Sequence, residues 1–306
     1  APQSIGVANN TPDEALVIFT SGTTSSKLKG VRISHKGVSG VCSFMNEQME
    51  ITEDINECVC ASIDHAFGFG RCHSILSIGG RFTLLELHKG LGALLEVFNI
   101  NNCNSLSSPP SVLSSLLRVT EGDLGVLAQR LKWLQTGAMR FAPTFRESLI
   151  EALPNARIFL HYGLSEAMRV TFYEINKHQN KLHTEGPASK GVDLSILDLN
   201  HNQISNGEEG LIAIKGTNLC LGYLDNELWQ SCLVNGWFVT SDTGRLDEDG
   251  FLVFCGRADD VMNCNGVLVH PDEIESKVHR AFPGLSFSVL GVPDPHSIKD
   301  IVVVLC

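Results

Sequence analysis

Short, largely apolar runs recur along the chain, each bounded by glycine, proline or polar clusters: Leu16 to Phe19, Arg157 to Leu160, Leu194 to Leu197, Leu211 to Ile214, Phe251 to Phe254 and Ile301 to Leu305. Their length and β-branched content predict strands. Ser111 to Val119, Phe145 to Leu153 and Pro271 to Ala281 carry a helical pattern instead. In the last of these, Pro271 occupies a first turn with acidic residues just behind it, as a helix start favours. Alternation of the two patterns predicts a mixed α/β protein. From about residue 186 the strands come faster, separated by "DLNHNQISNGEEG" (198–210) and "LDEDGF" (246–251), which read as hairpin turns.

Composition narrows the function classes. The 306 residues fit roughly two domains or subdomains, each able to bury a core. A net charge of -11, from 23 basic and 34 acidic side chains, argues against sustained non-specific nucleic-acid binding, which needs a basic face. No apolar run approaches the roughly 20 residues that span a bilayer. The ten cysteines are scattered, with one Cys-x-Cys (Cys58, Cys60) and no Cys-x-x-Cys. That pattern lacks paired zinc ligands and predicts reduced, mostly buried thiols in a cytoplasmic protein.

The candidate chemistry begins at "FTSGTTSSKLKGV" (19–31). After an apolar run, Thr20, Ser21, Gly22, Thr23, Thr24, Ser25 and Ser26 offer a dense row of backbone N–H groups and hydroxyls. Gly22 permits a tight turn and close approach of a ligand, and Lys27 and Lys29 add positive charge. This is the chemistry of a loop that wraps polyphosphate. Taken alone it is also readable as a hydroxyl-rich surface loop. The G-x4-G-K-[ST] spacing of a Walker loop is absent.

The stretch resembles the phosphate loop of the adenylate-forming superfamily (acyl-CoA synthetases, luciferases and peptide-synthetase adenylation domains), written T-S-G-T-T-G-x-P-K-G-V. Ser25 replaces the usual glycine, Leu28 the usual proline, and one extra residue precedes Lys29. Further motifs follow in the family's order. "LQTGAMR" (134–140) resembles the G-G-A-P segment along the adenine, with Gly137 and Ala138 as the small residues; a plain strand-to-helix turn is the alternative. "HYGLSEA" (161–167) resembles Y-G-x-T-E. There Tyr162 and Gly163 would border the adenine, Ser165 would donate to the α-phosphate, and Glu166 would bind Mg²⁺. A buried tyrosine beside a helix-capping Ser-Glu pair is the alternative. In "GLIAIKGTNLCLGYLDN" (210–226) the likeness is structural, with Tyr223 expected to pack. "GWFVTSDTGRLDEDGFL" (236–252) places Asp242 at the carboxylate that accepts both ribose hydroxyls, with Ser241 where glycine is usual. "CGRADDVMNCNGVLVHPDEIE" (255–275) resembles the hinge motif. Arg257 would contact ribose and phosphate, Asp259 would be the hinge, and Gly266 would line the channel of a thiol acceptor.

The resemblance implies an α/β fold: mixed sheets flanked by helices in a large N-terminal domain, a β-rich subdomain, and a partial small α+β C-terminal domain after the hinge. Residues 1–255 would form the AMP-binding large domain without its usual N-terminal part, and 256–306 the start of the small one. It implies ATP and Mg²⁺ as cofactors and activation of a carboxylic acid to an acyl-adenylate, with Ser165, Glu166 and Lys29 as the catalytic set. Transfer to a phosphopantetheine thiol, of CoA or a carrier protein, would follow. "SIDHAFGFG" (62–70) resembles the acyl-pocket border and makes His65 its gate or wall, with core packing as the alternative. Asp64 would pair with an α-amino group in an amino-acid-activating relative; a simple carboxylic acid is the preferred expectation. A non-catalytic nucleotide-binding relative or scaffold is the reading from a different class. The family's late P-K-T-x-x-G-K-like lysine has no match here, and only eighteen residues precede Phe19. The sequence is therefore expected to be a fragment of a longer protein.

Overall fold

The computed structural model describes residues 13–21, 28–85, 90–137, 142–258, 262–264, 267–269, 271–282, 288–293 and 300–305. Strand β1 (Glu14–Ser21) pairs antiparallel with β2 (Leu28–Ser34), which runs straight into helix α1 (His35–Met49). The Ser34 hydroxyl starts that helix by accepting the Gly37 N–H at 2.9 Å. An alternating section follows: β3 (Asn56–Val59), α2 (Ala66–Ser77), β4 (Arg81–Leu84), α3 (Gly90–Ile100), β5 (Ser105–Ser107), α4 (Pro110–Val119), α5 (Val126–Arg130), β6 (Trp133–Gly137), α6 (Pro143–Ala152), β7 (Arg157–Tyr162) and β8 (Thr171–Glu174). Prolines at the first turn of α4 and α6 suit the fixed φ of a helix start.

These strands make one sheet in the order β4-β3-β5-β6-β7-β8, parallel except for β8. Parallel strands joined by helices are covered on both faces, so β7 reads as an almost unbroken apolar run. Ile158 and Leu160 point to a core shared with Leu94, Phe98, Leu113 and Leu149 of α3, α4 and α6. Phe159 points the other way, to Met45 of α1 and Ile75 of α2. Each such fully buried side chain stabilises the fold by about 1.5–3 kcal/mol.

The second half is strand-rich: β9 (Gly186–Pro187), β10 (Val192–Leu197), β11 (Gly210–Gly216), β12 (Gly222–Tyr223), α7 (Asn226–Ser231), β13 (Leu233–Val234), β14 (Trp237–Leu246) and β15 (Phe251–Arg257). A second sheet runs β10-β11-β14-β15-β9, with β13 against β14, while β12 joins β2 as the third strand of the first hairpin. Both expected hairpins form, since β10–β11 and β14–β15 pair antiparallel. Strand β15 runs through the expected 255/256 boundary to Arg257. Last come β16 (Met262–Cys264), β17 (Val267–Val269), α8 (Pro271–Ala281), β18 (Ser288–Pro293) and β19 (Asp300–Leu305). Eight described cysteines carry free thiols, six of them buried, as the scattered spacing predicts. Among the described residues, no helix is long and apolar enough to cross a membrane.

Candidate active site

Strand β7 ends at Tyr162, and the chain then crosses to β8 through an irregular loop. Leu164 and Ala167 exchange backbone hydrogen bonds of 3.0 and 3.2 Å, and Ala167 bridges Leu219 on the connection between β11 and β12. The Cys220 N–H donates to the Glu166 carbonyl at 2.7 Å. Residues 163–170 contain no helix, which removes the helix-capping alternative for Ser165 and Glu166. Ser165 stays half-buried; Glu166 is buried, and the Tyr223 hydroxyl donates to its Oε1 at 2.6 Å. Burial, reinforced by the Glu166 carboxylate, pushes the Tyr223 phenol well above its ordinary range, so it remains a donor. Tyr223 does pack as expected, edge-on against Trp229 at 5.4 Å, but its hydroxyl also orients an acidic side chain. Lys29 Nζ lies 5.6 Å from the centre of the same ring, which gathers Lys29, Tyr223 and Glu166.

A second buried carboxylate sits on β14. The Tyr162 hydroxyl donates to Asp242 Oδ2 at 2.7 Å, and burial followed by the Asp242 charge keeps that phenol protonated. Strand register sets Asp242 opposite Arg257, whose Nε is 4.0 Å from Oδ1. Arg257 Nη2 donates to Ser241 Oγ at 2.7 Å, so the serine in the usual glycine position holds the arginine. Asp242, expected to accept from both ribose hydroxyls, already accepts from Tyr162 through Oδ2, and each carboxylate oxygen keeps further acceptor capacity. Tyr162, read as a stacking face, is also the partner of this carboxylate.

Gly137, at the end of β6, has φ 152°, and a Cβ there would lie 2.3 Å from the His161 carbonyl oxygen. The neighbouring strand therefore sets the need for glycine at this position. At Gly163 a Cβ would meet the Arg169 N at 2.6 Å, so that glycine serves the tight loop. Thr20 and Ser21 end β1, paired with Lys29 and Leu28 of β2. Gly22, Thr23, Thr24, Ala138, Asp259 and Gly266 lie outside the described residues. His65 precedes α2 and is exposed, which removes its core-packing alternative; Asp64 is also exposed, and Ser62 Oγ donates to it at 3.2 Å. Among the described residues, no group of three or more His, Cys, Asp or Glu could hold a metal by itself.

The same architecture occurs in ATP-bound MatB from Rhodopseudomonas palustris, with a TM-score of 0.84 at 23% identity over 97% of this chain and 58% of that one. Shared fold and ordered site motifs together define a class, and the family model makes it explicit. Residues 3–224 match the AMP-binding enzyme family, and the chain belongs to it. Curated relatives include a substituted-indenyl propanoyl:CoA ligase of Rhodococcus jostii (strain RHA1), 26% identical over 287 residues, and a feruloyl-CoA synthase of Amycolatopsis sp, 26% identical over 293 residues. Each alignment covers 92% of this chain, and 53% and 57% of the relatives respectively. The chain thus spans about half the length of the curated relatives it matches.

Proposed function

We propose that this chain carries the nucleotide and acid sites of an acyl-adenylate-forming ligase. A carboxylate oxygen of the substrate would attack the α-phosphorus of ATP, forming the acyl-adenylate and expelling pyrophosphate. The observation that carries this reading is the pair of oriented, buried carboxylates, Glu166 fixed by Tyr223 and Asp242 fixed by Tyr162.

Glu166 fits a hard cation. Its carboxylate is buried, a hydroxyl fixes one oxygen, and no ion pair with it occurs among the described residues. With no all-protein ligand cluster described, Glu166 together with phosphate oxygens would hold Mg²⁺, the usual mode for that ion. The bound ion would neutralise phosphate charge as pyrophosphate leaves. Lys29, beside Tyr223, adds positive charge on the same side. Ser165 would donate to an α-phosphate oxygen, and Asp242 with Arg257 would position the ribose. The protein's share is orientation and electrostatic stabilisation. Thiol transfer would follow, with CoA as the acceptor named for the relatives.

Pyrophosphate exchange into ATP, run with fatty, aryl and amino acids, tests the reading. One acid class should support exchange, and Glu166→Ala or Asp242→Ala should each lower it on the order of 100-fold or more. ATP binding that survives both substitutions, with no exchange from any acid, would leave a nucleotide-binding scaffold instead.

A further inference from the structure

Arg169, three residues beyond Glu166, is only 3% exposed. It adopts a left-handed φ of 54°, a conformation that strains a residue with a side chain. Its Nη2 donates to the Phe67 carbonyl at 3.3 Å and its Cζ lies 5.2 Å from the Phe67 ring centre. Its Nε has no hydrogen-bond partner among the described residues. Phe67 belongs to the segment read as the acyl-pocket border, and the same ring meets His161 edge-on at 4.7 Å.

Among the described residues, the carboxylate whose charge reaches Arg169 is Glu57, and its hydrogen bonds are committed elsewhere. Glu57 on β3 is fully buried, and its two oxygens accept from Arg71 Nε at 3.0 Å, Arg71 Nη2, Ser105 Oγ at 2.6 Å and Ser107 Oγ. One carboxylate, already engaged by four donors, thus stands against two buried guanidinium groups. A buried charge without a counter-ion is strongly disfavoured. Burial and the repulsion of Arg71 lower the Arg169 pKa to about 9, in the same sense. Two further buried acceptors beside His161, Gln135 Oε1 and Thr136 Oγ1, also lack partners among the described residues.

We propose that the acid activated here is a dicarboxylic acid, whose distal carboxylate is received by Arg169. The inference rests on the adenylation reading for the name of the site. The observations behind it do not depend on that reading: among the described residues Arg169 has no ion pair, its Nε has no hydrogen-bond partner, and its guanidinium packs on Phe67 near the start of α2.

The experiment is thermal unfolding of the full chain with matched acids: succinate against butyrate, glutarate against pentanoate, adipate against hexanoate, each without nucleotide, and with pyrophosphate as a separate probe. At least one diacid should stabilise the chain at concentrations about tenfold or more below its monoacid partner, the range of a hydrogen bond to a charged group. Arg169→Gln should erase that preference, and Arg169→Lys should keep part of it. Equal effects of mono- and diacids on the wild-type chain, no effect of any acid, or a preference surviving Arg169→Gln would each overturn the proposal. So would protection by pyrophosphate that depends on Arg169, since the anion would then be phosphate. Failure of the adenylation reading shows separately, as absence of ATP–Mg²⁺ stabilisation, while the diacid preference is read without ATP.

Discussion

Tyr223 shows what a single hydroxyl adds. Removing it in Tyr223→Phe leaves the ring against Trp229 and takes one donor from Glu166. A hydrogen bond to a charged group contributes about 1.5–3 kcal/mol, but here its effect falls on the orientation of a carboxylate read as a metal ligand. Tyr223→Phe should therefore weaken ATP binding about tenfold in the presence of Mg²⁺ and leave metal-free ATP binding unchanged, as titration calorimetry can measure. An equal loss with and without the ion would reduce Tyr223 to a packing residue. From the sequence this tyrosine is only a packing residue, because its partner lies 57 positions earlier in the chain. Ser241 is similar: the substitution is visible in the sequence, but its contact with Arg257 comes from the register of β14 and β15.

At the scale of elements, strand pairing decides what the motifs can tolerate. Gly137 faces His161 across the parallel β6–β7 pair. Gly137→Ala must place a methyl group 2.3 Å from a backbone oxygen that has little room to move, at a φ few residues adopt. Overpacking and strain together should destabilise the fold by at least about 2 kcal/mol in urea unfolding, whether or not nucleotide is present. Stability equal to the wild type, with nucleotide affinity alone reduced, would restore the view that the glycine exists to admit a purine. The expected strands and helices form close to their anticipated bounds, because apolar periodicity and prolines at helix starts are local signals. Strands β3 and β5 carry no such local signal: Glu57, Ser105 and Ser107 interrupt the apolar pattern, and only tertiary contact explains them, with Arg71 and both serines donating to Glu57.

For the whole molecule, His161 supplies a pH signature. Burial, then the positive charge of Arg169, holds its pKa well below the ordinary range, so it stays neutral in the folded protein. Above about pH 6.5 the unfolded histidine is neutral too, and this group adds no pH dependence. As pH falls below that value the unfolded chain binds a proton that the folded one refuses. Unfolding free energy should then decline by up to about 1.4 kcal/mol per pH unit from this group. Comparing urea midpoints between pH 7.5 and 5 for wild type and His161→Gln isolates it: the variant should show the shallower slope, and parallel slopes would refute the assignment.

The sequence by itself determined the alternating α/β plan, the two hairpins and the family, because each is written in neighbouring residues or in motifs of fixed order. It also named Glu166, Asp242 and Arg257. Tertiary structure alone decided which hydroxyl holds each carboxylate, that Asp242 comes with one oxygen engaged, and that Arg169 is buried without a carboxylate partner among the described residues. Those outcomes depend on groups distant in the chain meeting where water is excluded. There each polar atom must find a partner, and no local pattern records which one it finds.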